Sequence, residues 1–211
     1  MATLTDLGFC QGVIFETIIC TFNSSGCPNV APMGVTLEDE QRVALTIYNS
    51  AKTLKNLQNT RVATLNLTDD IDVYYMSALK SAEVSADLFE KSTVVNAPKL
   101  KKCDASIALS VESFKAVDML RTRVVCCVES VEALKRFPVA YCRARAAVLE
   151  AVVHATRIRV LCGIESERLK VVRLYGLIQD CMDIVNRSAP NSHYVELMVD
   201  LQEKVDLWRA S

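Results

Sequence analysis

The sequence predicts an α+β chain in which a barrel-like sheet of six strands precedes a helical C-terminal part. Two observations predict it. Up to about residue 134 the apolar residues come in short runs rich in β-branched and aromatic side chains, broken by turn clusters. After Pro138 the apolar period lengthens to that of a helix through three successive stretches. Strands gathered ahead of helices, rather than alternating with them, are the order of an α+β chain.

The elements follow in order. "QGVIFETIICTF", 11–22, is a long β-branched and aromatic run, and "NSSGCPN", 23–29, is a turn cluster. "VAPMGVTL", 30–37, is a second strand whose Pro32 belongs at an edge or a bulge, because proline has no N–H to give a ladder. "EDEQ", 38–41, turns the chain into "RVALTIY", 42–48. A short helix over about 51–58 turns Leu54 and Leu57 inward, and "RVATLNL", 61–67, is the fourth strand. "DDIDVYYMSALK", 69–80, opens with acids that suit the positive end of a helix. Residues 81–104 are a connecting excursion, and 105–118 and 121–134 are two long strands joined by a tight turn near Met119-Leu120. Helical stripes then fall at Cys142, Ala146, Leu149, Val153, Thr156 and Val160, at Leu174, Ile178, Cys181 and Val185, and at Tyr194, Leu197, Met198, Leu201, Val205 and Trp208.

The composition bounds what the chain can do. Of 211 residues 51% are apolar, enough for a sizeable core without cross-links. A net charge of −1 gives no support for a polyanionic partner. No apolar run is long enough to span a bilayer, and the N-terminus lacks a basic start followed by an apolar stretch, so a cytoplasmic location is expected. The nine cysteines are odd in number and include no C-x-x-C pair. Within apolar runs such as "VVCCVES" they read as small buried hydrophobes, and no metal site is expected.

The loop Tyr48-Asn49-Ser50-Ala51-Lys52-Thr53 leaves a strand and opens a helix. Such a loop presents unpaired N–H groups at the positive end of the helix dipole, a natural anion site. Ser50 and Thr53 add hydroxyls, and Lys52 a mobile point charge suited to phosphate. The alternative is an ordinary helix start, with Ser50 as N-cap and Lys52 in water. In the strand before it, Pro32-Met33-Gly34 includes a glycine where strands disfavour one, which marks either a close approach of ligand to backbone or a bulge. A flat heteroaromatic ring against Pro32–Gly34, touched by the soft Met33 side chain, beside a phosphate site, describes a mononucleotide-type cofactor.

With "PMGV" at 32–35, "YNSAKTLKNL" at 48–57, "ATLNLTDD" at 63–70 and "CRARAAVLEAVVHATR" at 142–157, the chain resembles the FMN-binding split-barrel superfamily. That superfamily includes pyridoxamine-phosphate-oxidase-like proteins and flavin reductases. More closely, the chain resembles an uncharacterised, largely archaeal family within it. The resemblance implies a six-stranded Greek-key split β-barrel and a homodimer with FMN at the subunit interface. It implies a flavin-binding domain over 1–136 and a helical subdomain over 137–211. The cofactor-binding residues it implies are Ala31, Pro32, Met33, Gly34, Tyr48, Asn49, Ser50, Lys52, Thr53 and Asn66. Thr46 stands where the family pattern has an arginine, and Ala51-Lys52-Thr53 stands where it has Thr-Arg-Thr.

Other candidates carry less. Glu150, His154 and Arg157 share a helix face and suit either a polar network or an acid/base pair. The basic stretch 135–173 has few aromatics among its charges and reads as a solvated face rather than a nucleic-acid surface. No catalytic Ser/His/Asp or Cys/His set can be assembled. Two functions remain: an FMN-dependent oxidoreductase of unknown substrate, or a split-barrel protein that binds flavin without catalysis or serves as a cofactor-free interaction module.

Overall fold

Strict alternation along β3 (Arg42–Tyr48) turns Val43, Leu45 and Ile47 to one side, and all three are buried. The same alternation in the other long strands builds a closed barrel around them. This computed structural model describes residues 2–11, 14–80, 84–134 and 143–210. Val13, Pro138, Cys142, Lys135 and Arg136, which the sequence reading used, lie outside the described residues. Backbone packing divides the chain into two units, Met1–Asp69 with Ser81–Phe137, and Asp70–Lys80 with Pro138–Ser211.

The first unit holds β1 (Ile14–Phe22), β2 (Pro28–Asp39), β3, α1 (Lys52–Thr60), β4 (Val62–Leu67), the short strands β5 (Phe89–Lys91) and β6 (Pro98–Leu100), β7 (Ala105–Ala116) and β8 (Arg121–Ala133). The barrel order is β1-β2-β3-β8-β7-β4, closing on β1, with every pairing antiparallel. The β7–β8 hairpin is inserted between β3 and β4, which gives the Greek-key order. Ile19, Val35, Leu45, Leu65, Ile107, Leu109 and Val124 fill the interior with no exposed area. Each such side chain is worth roughly 1.5–3 kcal/mol of burial. Leu54 and Leu57 of α1 join this core, as their spacing predicts.

The register between β1 and β2 is unbroken from Ile14↔Thr36 to Phe22↔Pro28, so Pro32–Gly34 carries no bulge. Pairing of β2 with β3 is confined to Val35–Asp39. Residues 28–34 of β2 therefore have β1 on one flank and no strand on the other, which is where a proline costs nothing. On the β3 side the residues past Leu45 pair with β8 alone. The barrel is split between these two segments.

β1 carries apolar residues on both faces, which from the sequence calls for the C-terminal helices or another subunit to cover the second one. Part of that expectation is corrected. Ile18 and Cys20 point outward, and the 86–104 excursion with β6 covers this face from the same unit. Thr64 Oγ1 donates to the Pro98 carbonyl at 2.7 Å and fastens the cover.

The second unit holds α2 (Ile71–Leu79), α3 (Arg143–Leu161), α4 (Arg168–Ser188) and α5 (His193–Ala210). Asp70 caps α2, its carboxylate accepting the Asp72 N–H at 3.0 Å. The expected stripe of α4 is buried in full, and Met198, Leu201 and Val205 of α5 are buried as expected. The stripe expected on α3 is corrected. Ala144, Ala147, Val148, Ala151, Val152, Ala155, Ile158 and Leu161 are buried, whereas Leu149 and Val153 are half-exposed. α3 packs against α2, α4 and α5, and its alanines let neighbouring helices approach closely. No helix among the described residues is long and apolar enough to cross a membrane.

The described cysteines are free thiols, and Cys20, Cys126 and Cys181 are buried as read. Burial pushes the Cys126 thiol up to about 12. Cys10 and Cys27 depart from the buried reading and are exposed.

Candidate functional site

The candidate site is built where the split meets the start of α1. β3 ends at Tyr48, whose carbonyl accepts the Ala51 N–H at 2.9 Å and closes a tight turn. Ala51 is the N-cap of α1, with extended backbone and no side-chain cap. The alternative reading of Ser50 as N-cap is thereby corrected: Ser50 lies one residue too early. An alanine cap leaves the first helical amides without the oxygen that Ser, Thr or Asp would bring. Among the described residues no acceptor meets the N–H groups of Ser50, Lys52 or Thr53. The Lys52 side chain is exposed and forms no ion pair among them.

Thr53 is only 3% exposed, and its Oγ1 accepts from Asn29 Nδ2 at 3.3 Å. Asn29 Nδ2 also reaches Thr21 Oγ1 at 3.4 Å, and Asn56 Nδ2 donates to that same oxygen at 3.0 Å. These bonds tie the free flank of β2 to the first turn of α1. The sequence reading left Asn29 in the preceding turn cluster, whereas it is the second residue of β2. Its contacts lie 24 and 8 residues away, outside any local pattern.

Asn49 belongs to a different structure. Its N–H donates to the Leu120 carbonyl at 2.8 Å, its Nδ2 to the Met119 carbonyl at 3.0 Å, and its Oδ1 accepts from Thr122 Oγ1 at 2.8 Å. Its amide and both ends of its carboxamide staple the loop to the β7–β8 turn. Across β3 and β8, Thr46 pairs with Arg123 and Tyr48 with Arg121. Both guanidiniums are engaged, Arg121 by Asp118 at 2.6 Å and Arg123 by Glu38. Lys52, the cation of the loop itself, has no ion pair among the described residues.

On β2, Pro32 and Gly34 face outward, opposite Ile18 and Glu16. Ala31 and Met33 face inward and pack on the barrel core, so the thioether is not presented as the soft outward contact expected of it. The Met33 carbonyl accepts the Thr17 hydroxyl at 2.9 Å. A Cβ on Gly34 would meet Ile14 Cγ2 at 3.0 Å, which gives the glycine a structural reason. Ile14 is itself 67% exposed and free to turn aside.

Asn66 is not brought to the split. It is fully buried, with Nδ2 on the Ile18 carbonyl at 3.1 Å and on Thr64 Oγ1 at 3.1 Å. Its Oδ1 accepts from Leu100 N–H at 3.1 Å and from Ser106 Oγ at 3.2 Å. These partners use it as a brace between β4, β1 and β6.

A family model described as "Protein of unknown function (DUF447) N-terminal domain" matches residues 15–133. Among solved structures, an FMN-bound protein of Methanosarcina mazei, itself placed in DUF447, is 23% identical with a TM-score of 0.76. The match covers 95% of this chain and 99% of that one. A candidate flavin reductase with a split-barrel domain from Shewanella frigidimarina is 16% identical at a TM-score of 0.50, over 64% of this chain and 76% of that one. These likenesses bear on the fold: a split barrel.

Proposed function

We propose that this chain, which belongs to the DUF447 family, binds FMN at the split of its barrel and serves as a cytoplasmic flavoprotein oxidoreductase. The observation that carries the reading is the uncapped start of α1 beside the free flank of β2. The backbone N–H groups of Ser50, Lys52 and Thr53, with the Thr53 hydroxyl and the Lys52 ammonium, form a donor set without acceptors among the described residues. A phosphate dianion supplies the acceptors such a set lacks. Pro32 and Gly34, outward-facing on a strand with no partner on one flank, offer a flat, main-chain-rich surface to the ring. Ala31 and Met33 hold that strand to the core, and Tyr48 and Asn49 fix the loop. Bound FMN supplies the electron and hydride transfer; the chain supplies position, charge and exclusion of water. No acid/base set is needed for that division of work.

The test is a fluorescence titration with FMN and with riboflavin. Lys52→Ala is expected to weaken FMN about tenfold, the low end of a charge-assisted bond because Lys52 is exposed, and to leave riboflavin nearly unchanged. High salt should narrow the difference. Gly34→Ala is expected to weaken both ligands alike. A protein that is colourless as purified and takes up neither ligand would sink the flavin reading and leave the interaction module.

We further propose a homodimer with the flavin at its interface. Apolar side chains stand exposed at both ends of the site: Ile14 over Gly34, and Val117, Met119 and Leu120 at the β7–β8 turn that Asn49 grips. A second subunit covering them removes apolar surface from water. Light scattering should give twice the chain mass at micromolar concentration. A monomer mass with FMN still bound would overturn the interfacial site.

A further inference from the structure

The structure assigns to Asn29 a positioning role that sets the selectivity of the site for a phosphorylated flavin; the assignment rests on the FMN reading above. The argument concerns the direction of one hydrogen. A carboxamide nitrogen only donates, and a hydroxyl that accepts from it must point its own hydrogen elsewhere. Asn29 Nδ2 donates to Thr53 Oγ1, so the Thr53 hydrogen is turned away from β2. No acceptor among the described residues receives it. Thr53 is nevertheless 97% buried, where an unused donor is costly and a ligand oxygen is a natural partner.

The oxygens around Asn29 reinforce the arrangement. Thr21 Oγ1 accepts from both Asn29 and Asn56, so two carboxamides converge on one hydroxyl and hold the Asn29 side chain across the gap from β2 to α1. The Thr53 hydroxyl then acts as a donor next to the unpaired amides of Lys52 and Thr53 itself. A site made only of donors favours an oxyanion. A ribityl hydroxyl, which also brings a hydrogen to be accepted, gains less from it. Asn29 therefore acts through Thr53 and touches no part of the ligand.

Three variants test this by the ratio of FMN to riboflavin affinity, which a loss of packing does not move. Asn29→Leu keeps the side chain's size and frees the Thr53 hydroxyl to rotate; the ratio should fall about three- to tenfold. Thr53→Val, which keeps the shape, should lower the ratio by a similar factor, and adding Asn29→Leu to it should lower it no further. Asn29→Asp places an acceptor and a negative charge against Thr53, and should lower the ratio more than Asn29→Leu does. Should Asn29→Leu fail to fold, the near-isosteric Asp variant carries the test. If Lys52→Ala lowers the ratio and the Asn29 variants do not, this assignment falls while the FMN reading stands. Additive losses in the double variant would equally overturn it. If no variant moves the ratio, Lys52→Ala included, the phosphate reading falls and the assignment with it.

Discussion

Two polar clusters in the barrel unit are built from the same residue types and treat their hydrogen bonds in opposite ways. Around Asn66 every group is paired: both ends of its carboxamide meet protein partners, and Thr64, Ser106 and the Leu100 amide complete the set. At the start of α1, Thr21, Asn29 and Thr53 form a chain of hydrogen bonds that ends in donors without acceptors among the described residues. The first cluster is fully buried and its energy is spent on holding β6 to the barrel. The second sits at the mouth of the split. Asparagine and threonine in a β-protein are thus not signs of a site in themselves. What separates brace from cradle is whether the donors are used up.

The largest expected effect tests the brace. Asn66→Leu keeps the volume and removes every polar partner, leaving the Leu100 N–H and the Ser106 hydroxyl without their acceptor in a dry interior. The cost is about 2–4 kcal/mol. That corresponds to a fall in Tm of roughly 5–15 °C for a chain of this size. The ratio of FMN to riboflavin affinity should stay at the wild-type value. An Asn66→Leu protein with unchanged Tm and lost flavin would break the comparison and return Asn66 to the cofactor site that the family resemblance implies.

How legible each cluster was follows from the range of the contacts that make it. Strand limits could be read closely, because the short apolar, β-branched runs of β3 and β4 carry their signal locally. The loop donors at Ser50, Lys52 and Thr53 were legible because a strand end, Tyr48, and a helix start, Lys52, lie four residues apart. What sequence could not give is which donors the fold consumes. Asn49 meets its partners about 70 residues away, and Asn66 about 34 to 48 residues away. No local pattern distinguishes it from Lys52, whose environment is open. The split itself was likewise out of reach of periodicity, since nothing along β2 marks where its pairing with β3 stops. On α3 the failure was of another kind. The helix is apolar on more than one face, and the larger Leu149 and Val153 drew the stripe away from the alanines that the packing buries.

The smallest expected effect tests the comparison from outside the barrel, at an unpaired group for which no ligand is proposed. In the helical unit, His154 Nδ1 is buried without a hydrogen-bond partner among the described residues. Burial holds its pKa below the ordinary 6.5, with Arg157 lowering it further and Glu150 opposing. The imidazole is therefore neutral in the folded chain while the unfolded chain takes up a proton first as pH falls. Above about 6.5 both states are neutral and His154 contributes no pH dependence. Below it, stability is lost progressively until the lowered folded pKa is passed. The wild-type Tm should drop between pH 7.5 and pH 5.5, and by less in His154→Leu, which has no proton to gain. FMN affinity should not differ between the two proteins over that range, because His154 belongs to the other unit. An identical pH slope in both proteins would mean that Glu150 stabilises the imidazolium enough to cancel burial. The orphan nitrogen would then be no penalty, and the rule that unused buried polar atoms mark a cost or a ligand would fail at this position.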